Sequence, residues 1–196
     1  MCGRYYVEAD DMTLEIMQVI EEINRKKLNK HTGKDVVPTD YAPVITQQGI
    51  TAMQWGFTLP NRKAPIINAR SETAADKLLF SSSVQQRRCL LPASGYYEWD
   101  QQRNKYTIGH GKPFYMAGIF RPEDDHITRF CIMTQTPVPA LTHIHDRMPV
   151  ILQRDAAKAW LNGSLPPQLA FQHVPPGIIG RTDTAQMSFL TRVCNR

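Results

Sequence analysis

Apolar residues recur at three- and four-residue steps through ADDMTLEIMQVIEEIN, residues 9–24, where Met12, Ile16, Val19, Ile20 and Ile23 share one face. That spacing predicts an amphipathic cover helix, with Asp10 or Asp11 capping its start. A second helical stretch follows Ser71 through ETAADKLLF, and a third runs from about Asp155 to Asn162 and stops at Gly163. Most of the remaining pattern is short runs of aromatic and aliphatic residues bounded by Pro, Gly and Asn. These are AMQWGF (52–57), CLLPA (89–93), GYYEW (95–99), PFYMAGIF (113–120), RFCIMT (129–134) and MPVIL (148–152), and each predicts a strand. The strands come in groups rather than in regular β-α alternation, which favours an α+β fold over a doubly wound sheet. Residues 33–43 and 165–176 read as surface loops, and neither carries a phosphate-cradling glycine pattern.

At 196 residues, 42% of them hydrophobic and 21% charged, the chain predicts one globular domain. Lys and Arg outnumber Asp and Glu by 23 to 18, a net charge of +5 that suits a polyanionic partner. The pairs Lys26-Lys27, Arg62-Lys63 and Arg87-Arg88 could follow phosphates, or could simply be scattered solvated charges. Cys2, Cys89, Cys131 and Cys194 are widely spaced, with no C-x-x-C pair and no secretory leader, so free thiols in a reducing cytoplasm are expected. His143-Ile144-His145 could present two imidazoles, but the chain offers no zinc-ligand spacing, and neither a metal nor a cofactor is expected. No run has the length of a membrane span.

Four segments set reactive residues in apolar surroundings: MCGR at the start, INARSET (67–73), GYYEW (95–99) and IHDRMP (144–149). Taken singly, each suits an ordinary role. Asn68 could be a turn residue, Glu98 a surface carboxylate and His145 a core histidine. Taken together they form a candidate site.

These four motifs, in this order and spacing, resemble the SOS response-associated peptidase family, and YAP (41–43), WGF (55–57) and MAGIF (116–120) fit the same pattern. The resemblance covers nearly the whole chain. It implies a single mixed domain spanning residues 1–196, with a β-rich, barrel-like core, a few covering helices and a positively charged DNA groove. It also implies a sensor of abasic sites in single-stranded DNA that attaches covalently to the damaged sugar through its N-terminal cysteine. The family is further credited with removing residues ahead of that cysteine. Matching motif to motif places Cys2 as nucleophile and Asn68, Glu98 and His145 as its supporting residues.

The chemistry of the residues agrees with that assignment. Removal of Met1, expected before a small residue, would give Cys2 an α-amine and a thiol on adjacent carbons. An α-amine has a pKa of about 7.7–8.0 against about 10.4 for lysine, so far more of it is unprotonated at neutral pH. It can form an imine with the open aldehyde of an abasic sugar, and the thiol can then close a five-membered thiazolidine. Glu98 is the candidate for proton transfer, His145 for a second acid/base, and Asn68 for orienting the amine or thiol.

Arg4, Arg70 and Arg147 each lie two residues from one of these candidates and are expected to hold flanking phosphates, unless paired with Glu72 or Asp146. Thr134 falls where the family places a small polar residue near the DNA backbone, and Trp55 is a candidate for base stacking. The expected partner is single-stranded DNA with abasic sites, met by a cytoplasmic monomer that joins the nucleoid when bound. Two other classes stay open: a cysteine or N-terminal-nucleophile peptidase, and a noncatalytic single-strand-binding module.

Overall fold

The computed structural model describes residues 2–11, 13–29, 33–169 and 174–182. In chain order these form β1 (Tyr5–Tyr6), α1 (Leu14–Arg25), β2 (Asp35–Val36), β3 (Tyr41–Thr46), β4 (Gly49–Trp55), β5 (Phe57–Leu59), β6 (Arg62–Ile66) and β7 (Asn68–Arg70). There follow α2 (Leu78–Gln86), β8 (Arg88–Ala93), β9 (Gly95–Trp99), β10 (Lys105–Gly109), β11 (Phe114–Pro122), β12 (Thr128–Gln135), β13 (Met148–Pro149), β14 (Ile151–Leu152), α3 (Arg154–Leu161) and β15 (Ile179–Thr182).

The larger sheet closes on itself. β3 pairs with β4 and β8, β8 with β11, and β11 with β12, which runs parallel to β4 and completes a five-stranded barrel. Closure leaves these strands few unpaired backbone groups to satisfy elsewhere. Val44, Met53, Trp55, Leu91, Met116 and Ile132, drawn from all five strands, form one buried cluster in its interior. Gly118 on β11 is dictated by that packing, since a Cβ there would fall 2.5 Å from Leu91 Cδ2 and 2.9 Å from the Cys89 sulfur. Alternate residues face outward, where Leu90, Ala117, Ile119, Cys131 and Met133 pack with Phe80 and Val84 of α2 and with Trp160 of α3.

The second sheet is antiparallel, in the order β15-β10-β9-β1-β2. Its registers pair Tyr5 with Tyr96 and Tyr96 with Ile108. These three side chains join the barrel cluster, so one face of the small sheet is buried against the barrel. Tyr6, Tyr97, Thr107 and Arg181 lie at alternate positions and therefore on the opposite face. The architecture is the expected α+β, strand-dominated mixed domain. Among the described residues no helix is long and apolar enough to cross a membrane.

Several boundaries differ from the sequence pattern for local reasons. Asp10 and Asp11 belong to a separate 3-10 turn, and α1 starts after Thr13, whose hydroxyl accepts from Ile16 N at 3.4 Å. Met12 lies outside the described residues, as does Cys194. The stretch after Ser71 is a series of turns, and α2 begins only at Leu78. Residues 33–43, expected as a loop, contain β2 and the start of β3, with Ala42 and Pro43 buried. AMQWGF divides at Gly56, whose φ of 110° separates β4 from β5. MPVIL divides at Val150, which donates its N–H to Met133 O at 2.9 Å and accepts from Ala117 N at 2.8 Å, bridging β12 and β11.

Candidate functional site

The N-terminal segment continues the β1 ladder beyond Tyr5. Tyr97 N donates to Arg4 O at 2.9 Å, which lays the chain along β9 toward its Glu98 end. Cys2 is fully buried there. Its carbonyl oxygen accepts from Asn68 Nδ2 at 3.0 Å. Asn68 opens β7, which runs parallel to β12 with Asn68 opposite Ile132, so the barrel wall itself holds the amide. The remaining amide oxygen, Asn68 Oδ1, is buried with no hydrogen-bond partner among the described residues. It is an acceptor still open to an amine, a thiol or a water.

Glu98 is 5% exposed, and strand alternation puts it on the same face of β9 as Tyr96. Burial pushes the Cys2 thiol well above its ordinary pKa, and the Glu98 charge pushes it further. The sulfur is therefore a protonated thiol at neutral pH. Burial, with the Glu98 charge adding to it, also raises Tyr96, so its phenol stays protonated. Tyr5 meets Trp55 edge-on at 5.5 Å, and Trp55 Nε1 donates to Ile67 O at 3.0 Å. Trp55 thus pins the peptide immediately ahead of Asn68.

His145 sits in the loop between β12 and β13. Neighbouring Ile144 belongs to the barrel cluster, and the His143 ring meets Tyr106 edge-on at 5.9 Å. Tyr106 pairs with Glu98 across β10 and β9, so this loop covers the Glu98 face of the small sheet. His145 Nδ1 lies 2.6 Å from Asp146 Oδ1 and 3.1 Å from Arg147 N. In the longer contact Arg147 N–H is the donor and Nδ1 the acceptor, so the backbone of the loop itself orients the ring. Cys2, Asn68 and Glu98 come together directly, and His145 is presented over the same face by its loop.

The residues expected to touch DNA divide into two groups. Arg70 is exposed at the end of β7, and the Arg4 guanidinium is partly exposed, 3.9 Å from Asp35. Arg147 is instead committed to protein: its two Nη atoms each donate at 2.8 Å to the Glu72 carboxylate, and Nη2 also donates to Thr134 O at 2.7 Å. The expected phosphate contact gives way there to a bidentate ion pair that ties the loop to β12. Thr134 is fully buried, because β7 and β13 flank β12 at that position, and it cannot reach a DNA backbone. Trp55 is also fully buried, its ring stacked at 6.1 Å on Phe130 inside the barrel, so no base can stack on it. Both are corrections to the sequence reading. Tyr96, a neighbour of Glu98 in sequence, also walls the cysteine, as does Tyr5, three residues after it, and both tyrosines are raised in pKa by burial.

The chain is similar to known proteins along most of its length. The family model for SOS response associated peptidase (SRAP) matches residues 1–177. Abasic site processing protein YoqW of Bacillus subtilis (strain 168) is 30% identical over 187 residues, covering 83% of this chain and 80% of the relative. Abasic site processing protein YedK of Escherichia coli (strain K12) is 35% identical over 117 residues, covering 55% of this chain and 52% of the relative. A crystal structure of a protein from Bacteroides thetaiotaomicron superposes with a TM-score of 0.71 at 22% identity, covering 92% of this chain and 91% of that one, a likeness of fold.

Proposed function

Because the chain belongs to the SOS response associated peptidase (SRAP) family, we propose that it processes abasic sites in single-stranded DNA by capturing the lesion's aldehyde on Cys2. The observation that carries this reading is the grip of Asn68 on the Cys2 carbonyl, with the Glu98 carboxylate close enough to raise the thiol. Excision of Met1 gives Cys2 a free α-amine. That amine attacks the sugar aldehyde carbon, the carbinolamine loses water, and an imine forms. The thiol sulfur then bonds to the imine carbon and its proton passes to the nitrogen, closing a thiazolidine. Atoms balance with one water released and no oxidant or reductant.

A protonated thiol suits this order, since the sulfur acts second and delivers a proton as it adds. A peptidase route through Cys2 would need a thiolate at the start, which burial and Glu98 disfavour. Glu98 takes the proton from the attacking amine and returns it to the departing hydroxyl, and His145 serves as the second acid/base. Arg4 and Arg70 hold flanking phosphates. The protein acts as a cytoplasmic monomer, consistent with the free thiols of Cys2, Cys89 and Cys131.

The test incubates the processed protein with single-stranded DNA carrying one abasic site, beside Cys2→Ala and Cys2→Ser, and resolves the products on a denaturing gel. A heat-stable protein-DNA species lost in both variants supports the reading. Peptide cleavage without any adduct, or a salt-sensitive gel shift with no adduct, sinks it.

A further inference from the structure

The face of the small sheet turned away from Cys2 carries a second candidate site. A cavity of about 340 Å³ lies there, lined by Tyr6, Ser94, Thr107, His110, Ile179, Arg181 and three glycines. The registers fix its side. Thr107 pairs with Tyr97 and Arg181, whereas the adjacent Ile108 pairs with Tyr96 and packs in the barrel cluster. Side chains alternate along a strand, so Thr107 and Arg181 face opposite to Tyr96 and Glu98. The cavity and the cysteine site are separated by the thickness of the sheet.

Its lining has one chemical character. Arg181 offers a guanidinium, His110 an imidazole, and Ser94 and Thr107 hydroxyls, while no carboxylate lines the cavity. Ser94 Oγ already accepts from Glu8 N at 2.8 Å, which leaves its O–H to donate inward. The acids nearest in sequence and register are turned to other partners: Glu8 to Lys34 at 2.5 Å, and Asp35 to Arg4 at 3.9 Å and to the Tyr97 hydroxyl at 3.3 Å. Among the described residues no ion pair engages Arg181, which is exposed. Glycine at 109 keeps the floor open, since a Cβ there would sit 3.2 Å from Ser94 O.

Such a donor set without a carboxylate selects an anion, and guanidinium with hydroxyls is phosphate chemistry. The volume is larger than a lone phosphate needs and falls at the lower end of the roughly 300–1,000 Å³ typical of small-molecule sites. The Tyr6 ring and Ile179, the latter 44% exposed, supply the apolar wall against which a sugar or base would lie. We propose that this cavity binds a phosphorylated nucleotide, free or as one unit of a DNA strand, with Arg181 and His110 on the phosphate and Tyr6 and Ile179 against the nucleoside. This site uses none of the covalent machinery at Cys2.

The experiment titrates the full chain with dAMP, with 2′-deoxyadenosine and with an undamaged single-stranded decamer. Wild type, Arg181→Ala, His110→Ala and Thr107→Val are compared, each checked by its thermal melt. Binding of dAMP at least about tenfold tighter than deoxyadenosine, and weakened at least about fivefold in Arg181→Ala and His110→Ala, assigns the site to free nucleotide. Decamer affinity that falls by the same factor, with no dAMP binding up to millimolar concentration, assigns it to a unit of a strand. Thr107→Val gives a smaller loss in whichever arm binds. The proposal is overturned if neither dAMP nor the decamer binds, or if the affinities for dAMP and the decamer are both unchanged in Arg181→Ala and His110→Ala. Adduct formation by Arg181→Ala on saturating abasic DNA equals wild type. If wild type itself forms no adduct while Arg181-dependent nucleotide binding holds, the reading of Cys2 fails and this one stands.

Discussion

Asn68 Nδ2 donates to the Cys2 carbonyl oxygen at 3.0 Å, joining groups 66 residues apart in sequence. The bond fixes the peptide that follows the Cys2 α-carbon rather than the Cys2 side chain. It holds one amide plane of the N-terminal segment against the barrel wall.

Replacing Asn68 by Asp removes the only donor of that bond and sets a carboxylate against a carbonyl oxygen. Losing one hydrogen bond to a buried partner costs about 1–3 kcal/mol. We expect Asn68→Asp to slow adduct formation by roughly ten- to a hundredfold. Single-turnover denaturing gels measure this. A rate unchanged from wild type would show that the Cys2 carbonyl needs no anchor.

The protonated state of the thiol makes a second prediction. Because the folded protein holds Cys2 above the ordinary thiol range, alkylation by iodoacetamide stays slow from pH 7 to about 9. Adduct formation instead accelerates as pH rises through about 7.7–8.0, where the α-amine loses its proton, and then levels. Glu98→Gln removes a charge that raises the thiol, so alkylation sets in at lower pH while adduct formation slows. Intact mass against pH reads both. Alkylation of wild type that is already fast at pH 7 would contradict this account.

Trp55 yields a prediction about folding rather than about DNA. Trp55→Phe keeps the stacked position on Phe130 but leaves Ile67 O without its indole donor and opens a small cavity in the barrel. We expect a loss of about 2–3 kcal/mol in a denaturant melt. The affinity of the folded fraction for undamaged single-stranded DNA stays at the wild-type value, and a selective loss of DNA binding would restore Trp55 to the groove.

These residues also show what the sequence pattern could and could not convey. GYYEW reads as a strand, and its alternation already puts Tyr96 and Glu98 on one face. The motifs bring Cys2, Asn68 and Glu98 under suspicion because reactive side chains stand in apolar runs. Which arginine stays exposed is decided elsewhere: Arg70 and Arg147 look alike in sequence, yet among the described residues Glu72 pairs with Arg147, through a contact 75 residues long. The burial of Thr134 and Trp55 follows from closure of the barrel, a long-range pairing that no local period encodes. β2 and β15 leave no strand pattern in the sequence for a related reason. They are short strands, neither carries a continuous apolar run, and each gains its place from β1 or β10.

The two arginines can therefore be separated experimentally. Arg70→Ala weakens binding to single-stranded DNA and lowers the slope of log affinity against log salt by about 0.7, with the melting temperature unchanged. Arg147→Ala instead frees the 142–147 loop, leaves Thr134 O with one donor fewer, and slows adduct formation more than it weakens binding. Anisotropy titrations over a salt series, run beside adduct kinetics, distinguish them. Equal salt slopes in the two variants would mean that Arg147 leaves Glu72 to hold phosphate.

Besides the buried Phe57, an ionic cluster at Thr58 ties the β5–β6 hairpin to the barrel, and its acid stability can be worked out from the charges. Glu123 accepts from Thr58 N at 3.0 Å and from the Thr58 hydroxyl, and it pairs with Arg121 at 2.7 Å and Arg129 at 2.9 Å. Arg129 is 6% exposed and also bridges to Asp125 at 2.6 Å. Its hydrogen bonds hold the Asp125 carboxyl at about 2. Burial alone would raise Glu123, but the bonds from Thr58 and Arg121 outweigh it and keep Glu123 low. Both carboxylates are thus lower when folded than when unfolded, near 3.9 and 4.3. Their stabilisation is present above those values and is lost as pH falls toward 2. Arg129→Met leaves Glu123 with Arg121 as its remaining charged partner among the described residues and is expected to cost about 1–3 kcal/mol at pH 7. It also flattens the decline in melting temperature between pH 5 and pH 2. A variant that melts like wild type at pH 7, or keeps its full acid slope, would show that the cluster does not hold the hairpin.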